Sequence, residues 1–143
     1  MWYVVPFEAK HLFQMDFQEA QKWIVPYLEY NKVKTLENEW ASTIMLDGKP
    51  MLCGGPLPDG THRAILWSVI SKEVVTSTFR VVHRHVMKYL ESLPFRRLEA
   101  AIDVDFKAGH RWMKALGFTM EASLMKAFQI DGRDCALYAK VRD

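Results

Sequence analysis

The sequence predicts a mixed α/β (α+β) domain whose centre is a mostly antiparallel sheet of about seven strands with one parallel pair, flanked by about four helices, in the order β-α-α-β-β-β-α-β-α-β-β. Three observations carry this. Residues 63–70, RAILWSVI, form a nearly unbroken apolar run, the pattern of a strand covered on both faces and central in a sheet. In residues 71–92, Phe79, Val82, Val86, Tyr89, Leu90 and Leu93 recur at three- and four-residue steps opposite Arg80, Arg84, Lys88 and Glu91, which is an amphipathic helix. Residues 107–118, KAGHRWMKALGF, read as a short helix with Trp112, Ala115 and Leu116 on one face and Gly117 where a left-handed cap is needed.

The remaining elements follow in chain order. Trp2–Pro6 is β-branched and aromatic and is broken by Pro6, so it is a strand near a sheet edge. Residues 8–15 form a short helix, and Asp16 is placed to cap a second helix carrying Phe17, Ala20 and Ile24 on one face until Pro26 interrupts it. Residues 31–39, NKVKTLENE, are polar and read as a connection. Asp47-Gly48 joins strands over residues 39–46 and 49–53 as a two-residue hairpin turn, and Gly54-Gly55-Pro56 punctuates the chain before the apolar strand. Pro94 ends the long helix, and residues 97–103 alternate Leu98, Ala100 and Ile102 inward as a strand parallel to residues 63–70. Asp105 is expected to cap the short helix. Two strands, over residues 118–128 and 135–141, close the chain around Asp131-Gly132.

At 143 residues the chain suits a single domain spanning residues 1–143, with an interior filled by five Trp and an apolar content of 50%. The formal charge of +2 gives no steer towards nucleic acid or membrane, and no stretch approaches a membrane span. Cys53 and Cys135 stand far apart with no metal-ligand spacing, so no metal site is expected and both are read as reduced thiols in a cytoplasmic protein.

The order of elements, ending in Arg111-Trp112 and Leu116-Gly117-Phe118 behind the strand that finishes at Asp103, resembles the GNAT superfamily of N-acetyltransferases over essentially the whole chain. With Trp67 before the long helix it looks like the GNAT-like proteins of tailed, podovirus-type phages. The resemblance implies acetyl-CoA as cofactor and acetyl transfer to an amine. It also implies a pantetheine arm bonded to the backbone of Ser68, Val69 and Ile70, phosphates near Ser77, Thr78 and Arg80, and a cofactor wall at His110 and Met113. Two departures stand out. The stretch that matches the family's glycine-rich phosphate loop, residues 71–77, reads SKEVVTS and holds no glycine, and Met113 stands where a general-acid Tyr is common.

Deprotonating an ammonium acceptor needs a base, and Glu39 and Asp103 are the catalytic candidates, with Asp105 and His110 behind them. Each has a plainer structural reading: strand end and helix cap for the two aspartates, a charged connection for Glu39, a solvated helix face for His110. The basic stripe Arg80, His83, Arg84 and Lys88 reads either as a phosphate contact or as the wet face of its helix, and by itself makes a weak case for nucleic acid. Trp2, Trp23, Tyr27, Tyr30 and Trp40 suggest contacts with other phage or host proteins. The alternative to an enzyme is therefore a non-catalytic phage protein that uses the same scaffold for protein contacts, as a virion or assembly component or as an inhibitor of a host factor, located in the host cytoplasm or the virion.

Overall fold

A computed structural model describes residues 1–143. Seven strands form one mixed sheet in the order β1-β2-β3-β4-β5-β7-β6: β1 Trp2–Pro6, β2 Ser42–Leu46, β3 Lys49–Asp59, β4 Arg63–Ile70, β5 Arg97–Asp103, β6 Thr119–Met125 and β7 Cys135–Val141. The helices are α1 Ala9–Phe13, a 3₁₀ helix Glu19–Tyr27, α2 Tyr30–Lys34, α3 Thr76–Ser92 and α4 Lys107–Ala115. The mixed sheet with one parallel pair agrees with the fold expected from sequence, and α2 is an addition to it. No helix is long and apolar enough to cross a membrane. The residues group into two compact units, Met1–Leu57 with Trp67–Leu93, and Pro58–Leu66 with Pro94–Asp143.

In the first unit β1 pairs antiparallel with β2, and β2 with β3. Asp47 and Gly48 both take positive φ, +48° and +83°, the backbone that a two-residue hairpin turn of matching twist requires. Its core joins Phe7, Ala9, Leu12, Phe17, Val33, Ala41, Cys53 and Val69, with Trp67 packed against them. α3 buries Val82 and Leu90, and Leu93 follows them at its C-terminal cap. Burying a Leu or Val side chain of this kind contributes roughly 1.5–3 kcal/mol.

Four expectations are corrected here. Gly54-Gly55-Pro56 does not punctuate the chain but lies inside β3, where glycine is needed for close approach: a Cβ on Gly54 would meet the Trp67 carbonyl at 2.8 Å, and one on Gly55 the Ala41 backbone at 2.7 Å. Asp16 caps no helix, because its carbonyl accepts from the Lys72 N–H at 2.8 Å and the next residue, Phe17, forms an isolated antiparallel bridge with Ser71. The stretch read as a polar connection holds all of α2 but its first residue, and Val33, 4% exposed, pins that helix to the core. β4 is not covered evenly on both faces either, since Ile65 is 41% exposed.

In the second unit β4 and β5 run parallel, with Arg63 opposite Arg97 and Ile65 opposite Glu99. β5 and β6 flank β7 antiparallel, so Tyr138 is fully buried between Ala100 and Met120. α4 ends as expected: Gly117 has φ +89°, its N–H bonds to the Lys114 carbonyl, and the Phe118 N–H returns to the Met113 carbonyl at 2.9 Å. Its buried face is Gly109, Met113 and Leu116 rather than the face through Trp112 and Ala115. Asp105 does not cap it. Phe106 holds the cap position, and Gly109 is required because a Cβ there would lie 2.7 Å from the Phe106 ring.

Candidate functional site

The Ser71 N–H donates to the Met51 carbonyl on β3, and alternation along a strand turns the backbone of Val69 to that same β3 edge. Ser68 and Ile70 therefore present their backbone groups to the opposite edge of β4. That edge is occupied by the chain itself. The Gln21 carboxamide donates from Nε2 to the Ser68 carbonyl at 2.9 Å and accepts from the Ile70 N–H through Oε1 at 2.9 Å, while the Gln18 N–H reaches the Ile70 carbonyl at 3.3 Å. With the Phe17 bridge and the Asp16 carbonyl, residues 16–18 and the first turn of the 3₁₀ helix, through Gln21, line this edge. The expected ligand edge thus comprises Ser68 and Ile70, with Val69 facing away and 4% exposed.

Beyond the edge, residues 71–77 turn into α3. The Ser71 hydroxyl accepts from the Glu73 N–H at 3.1 Å, and the Glu73 carboxylate is paired with Lys49 at 3.3 Å, which offsets its charge at this turn. Thr76, Ser77 and Arg80 are exposed at the first turns of α3. Thr78 is not free: its hydroxyl accepts from the Val75 N–H and donates to the Val75 carbonyl, both at 3.0 Å, which closes the helix start. Glu39 is exposed and its carboxylate makes no hydrogen bond or ion pair.

The second unit holds the other expected residues in structural roles. Asp103 pairs with Arg133 at 2.6 Å and accepts from the Asp105 N–H at 2.9 Å, so its carboxylate is engaged. His110 lies on no solvated face. Its Nε2 faces the carbonyls of Asp103 and Val104 at 3.0 and 3.1 Å, which can only accept, and with the proton on Nε2 its Nδ1 accepts from the buried Tyr138 hydroxyl at 2.7 Å. Burial raises the Tyr138 phenol, consistent with a hydroxyl that stays protonated. Met113 is 8% exposed.

A buried polar line runs through the first unit. Thr43 Oγ1 lies 2.8 Å from His11 Nδ1 and 3.5 Å from Cys53 Sγ, and the Glu8 N–H donates to the same Nδ1 at 3.1 Å. Burial lowers the His11 pKa and pushes the Cys53 thiol up to about 12, only partly opposed by Thr43. A thiol that is protonated and inaccessible is no nucleophile, so Cys53 acts as a small core residue. Both cysteines are free and buried, and no cluster of His, Cys, Asp or Glu is arranged to hold a metal ion.

Gln18 and Gln21 escape sequence reasoning because their partners are backbone groups about fifty positions away, which no local pattern encodes. The one local signal in this segment is Pro26, which has no N–H to donate and lies inside a 3₁₀ helix rather than an α-helix.

No protein-family model matches the sequence, and no curated protein matches it. Solved structures do match its fold. The ribosomal-protein-S18-alanine N-acetyltransferase of Escherichia coli superposes with a TM-score of 0.76 at 15% identity, over 99% of this chain and 94% of that one. Ard1 from Thermoplasma volcanium gives 0.79 at 12% identity, over 99% and 98%. The putative acetyltransferase yncA of Salmonella typhimurium, solved with its cofactor acetyl-CoA, gives 0.71 at 12% identity, over 99% and 94%. Sheet order, the single parallel pair and these superpositions agree: the chain has the fold of the GNAT N-acetyltransferases.

Proposed function

We propose that the protein is an acetyl-CoA-dependent N-acetyltransferase of GNAT type that acetylates an amine. The observation that carries this reading is the edge of β4 that faces away from β3, where the Ser68 carbonyl and the Ile70 N–H stand side by side and already bond both ends of one amide, that of Gln21. The pantetheine arm of acetyl-CoA is a chain of secondary amides with the same donor and acceptor pair, so the edge fits it. The exposed start of α3, at Thr76 and Ser77, offers N–H groups and the positive end of a helix dipole to the phosphates, with Arg80 one turn on. Residues 71–77 must do this without glycine, a degenerate form of the loop.

Acetyl-CoA supplies the activated acyl group when bound. Glu39 is the expected base whose carboxylate is free to take a proton from the ammonium acceptor, while Asp103 is held by Arg133. Met113 has no proton to give a departing thiolate. Acetyl-CoA at a hundred times its dissociation constant adds about 2.7 kcal/mol of stability by mass action, which a thermal-shift titration reads directly. No shift with either acetyl-CoA or CoA at millimolar concentration rejects the enzyme reading.

A second reading, a non-catalytic protein of phage or prophage origin that uses the scaffold for protein contacts, is favoured by exposed aromatic side chains of the first unit. Phe13, Tyr27 and Tyr30 are 49%, 42% and 52% exposed, and the Phe13 and Tyr30 rings lie 6.0 Å apart. The podovirus link itself rests on Arg111-Trp112 ahead of Leu116-Gly117-Phe118. Presence of the protein in purified virions, together with no acetyl-CoA response, supports this reading over the enzyme.

A further inference from the structure

We propose that Gln21 is a built-in competitor for the acyl-CoA edge, a side-chain latch that holds the amide position of β4 until the cofactor's own amide displaces it; this rests on the acetyl-CoA reading above. The contact is chemically specific. A strand edge that offers a C=O and, two residues on, an N–H is satisfied by one planar amide in one orientation, and the Gln21 carboxamide supplies both bonds at 2.9 Å. A carboxylate in its place lacks the donor, and an ammonium lacks the acceptor.

The surrounding chain is built to keep Gln21 there while letting it leave. Phe17, 6% exposed, sits in the core of the first unit and bridges Ser71, which anchors the segment three to four residues before the latch. The Gln18 N–H holds the Ile70 carbonyl, a group distinct from the two that Gln21 occupies. Release of Gln21 therefore requires rotation about side-chain torsions and leaves the bridge, the Gln18 bond and the core in place. The Ser68 carbonyl and the Ile70 N–H, once freed, form the same donor and acceptor pair for an incoming amide. Binding must exchange two internal hydrogen bonds for two to ligand, so the native chain binds less tightly than one without the latch.

The experiment is isothermal titration of CoA into the full chain and into Gln21→Ala, Gln21→Asn and Gln18→Ala. Loss of two net hydrogen bonds of competition gives roughly tenfold tighter CoA binding for Gln21→Ala, and for Gln21→Asn too because its amide is one methylene short. Gln18→Ala leaves affinity unchanged, since Gln18 acts through its backbone. The Ile70 amide, followed by hydrogen exchange in the absence of CoA, exchanges faster in Gln21→Ala than in the native chain, and saturating CoA restores its protection. CoA binding of equal strength in the native chain and the Gln21 variants overturns the latch and leaves the acetyl-CoA reading standing. Failure of every variant to bind CoA rejects that reading and the latch with it. An Ile70 amide unprotected in the native chain overturns the latch by itself.

Discussion

The guanidinium of Arg63 grips the carboxylate of Glu99 in a two-point fork, Nε at 2.6 Å and Nη2 at 3.0 Å, across the only parallel strand pair in the sheet. Arg97 adds a third bond to Glu99 at 2.7 Å and reaches Glu121 at 2.5 Å, and Arg63 also pairs with Asp59. Glu99 is 8% exposed, so these bonds carry more weight than surface ion pairs. They hold its carboxyl down at about 2, against 4.5 in an unfolded chain, with the Arg63 hydrogen bonds as the largest cause. A depressed carboxyl contributes stability above the unfolded value and loses it as pH falls through the folded one. Stability is therefore expected to fall by on the order of 1–3 kcal/mol between pH 4.5 and 2 from this group. Urea denaturation of the native chain and of Glu99→Gln across that window checks it: the variant is less stable at neutral pH and has a shallower acid slope.

Glycine at positions 54 and 55 is a matter of contact and not of turn geometry. Gly54→Ala drives a methyl to 2.8 Å from the Trp67 carbonyl and 3.2 Å from the Ser68 Cβ, and Gly55→Ala to 2.7 Å from the Ala41 backbone. Backbone cannot step aside as a side-chain tip can, so each substitution is expected to cost about 2–4 kcal/mol. Gly48→Ala meets nothing within 4 Å and suffers only the left-handed penalty of its φ of +83°, about 1 kcal/mol. Chemical denaturation of the three variants gives the comparison, and equal costs at Gly48 and Gly54 refute the contact argument.

That contrast also explains what was legible in the sequence. β1, β4 and β7 have the expected bounds because alternation, apolar runs and flanking breakers are local, and the Asp47-Gly48 hairpin and Gly117 cap are fixed by their own φ. Gly54-Gly55-Pro56 looks like the same kind of breaker and is not, because its reason lies on β4 and at Ala41. The helical apolar spacing of Phe17, Ala20 and Ile24 does give a helix, but a 3₁₀ one that starts only at Glu19, because Phe17 and Gln18 are bonded to Ser71 and Ile70. The surroundings of the candidate residues were hidden for the same reason. Ser68 and Ile70 could be placed on β4, but which edge they face, and that Gln21 fills it, is long-range information.

The two cysteines are expected to be unreactive in the folded chain. Cys53 and Cys135 are fully buried, and burial raises both thiols, Cys53 to about 12. A disulfide-exchange reagent at pH 8 should therefore modify neither at a measurable rate until denaturant is added, when both react. Rapid modification of Cys53 in native buffer contradicts its placement between Thr43 and β3's neighbours in the core.

Tyr138→Phe isolates the role of His110. The variant keeps the ring in the centre of β7 and removes only the hydroxyl that bonds Nδ1 at 2.7 Å. Since that hydroxyl is buried and paired, its loss is expected to cost about 1 kcal/mol, and His110→Ala to cost little more once Tyr138 is Phe. A double-mutant cycle by urea denaturation measures the coupling. If His110 instead served the cofactor, His110→Ala would weaken CoA binding while Tyr138→Phe would not, so calorimetric titration of both variants separates a packed pair from a binding residue.

Met113→Tyr asks whether an acid can be restored to α4. Met113 belongs to the inward face with Gly109 and Leu116 and is 8% exposed, so a Tyr there must place a larger ring and a hydroxyl inside a filled core. Overpacking of this kind costs about 1–3 kcal/mol, and a hydroxyl without a partner adds to it. A hydroxyl buried on that face has no route to a departing thiolate, so acetyl transfer, followed as free thiol released from acetyl-CoA, is expected to stay at the level of the native chain while the denaturation midpoint falls. A rise in thiol release with unchanged stability would mean that position 113 faces the reacting atoms, and would place the acid of this fold back on α4.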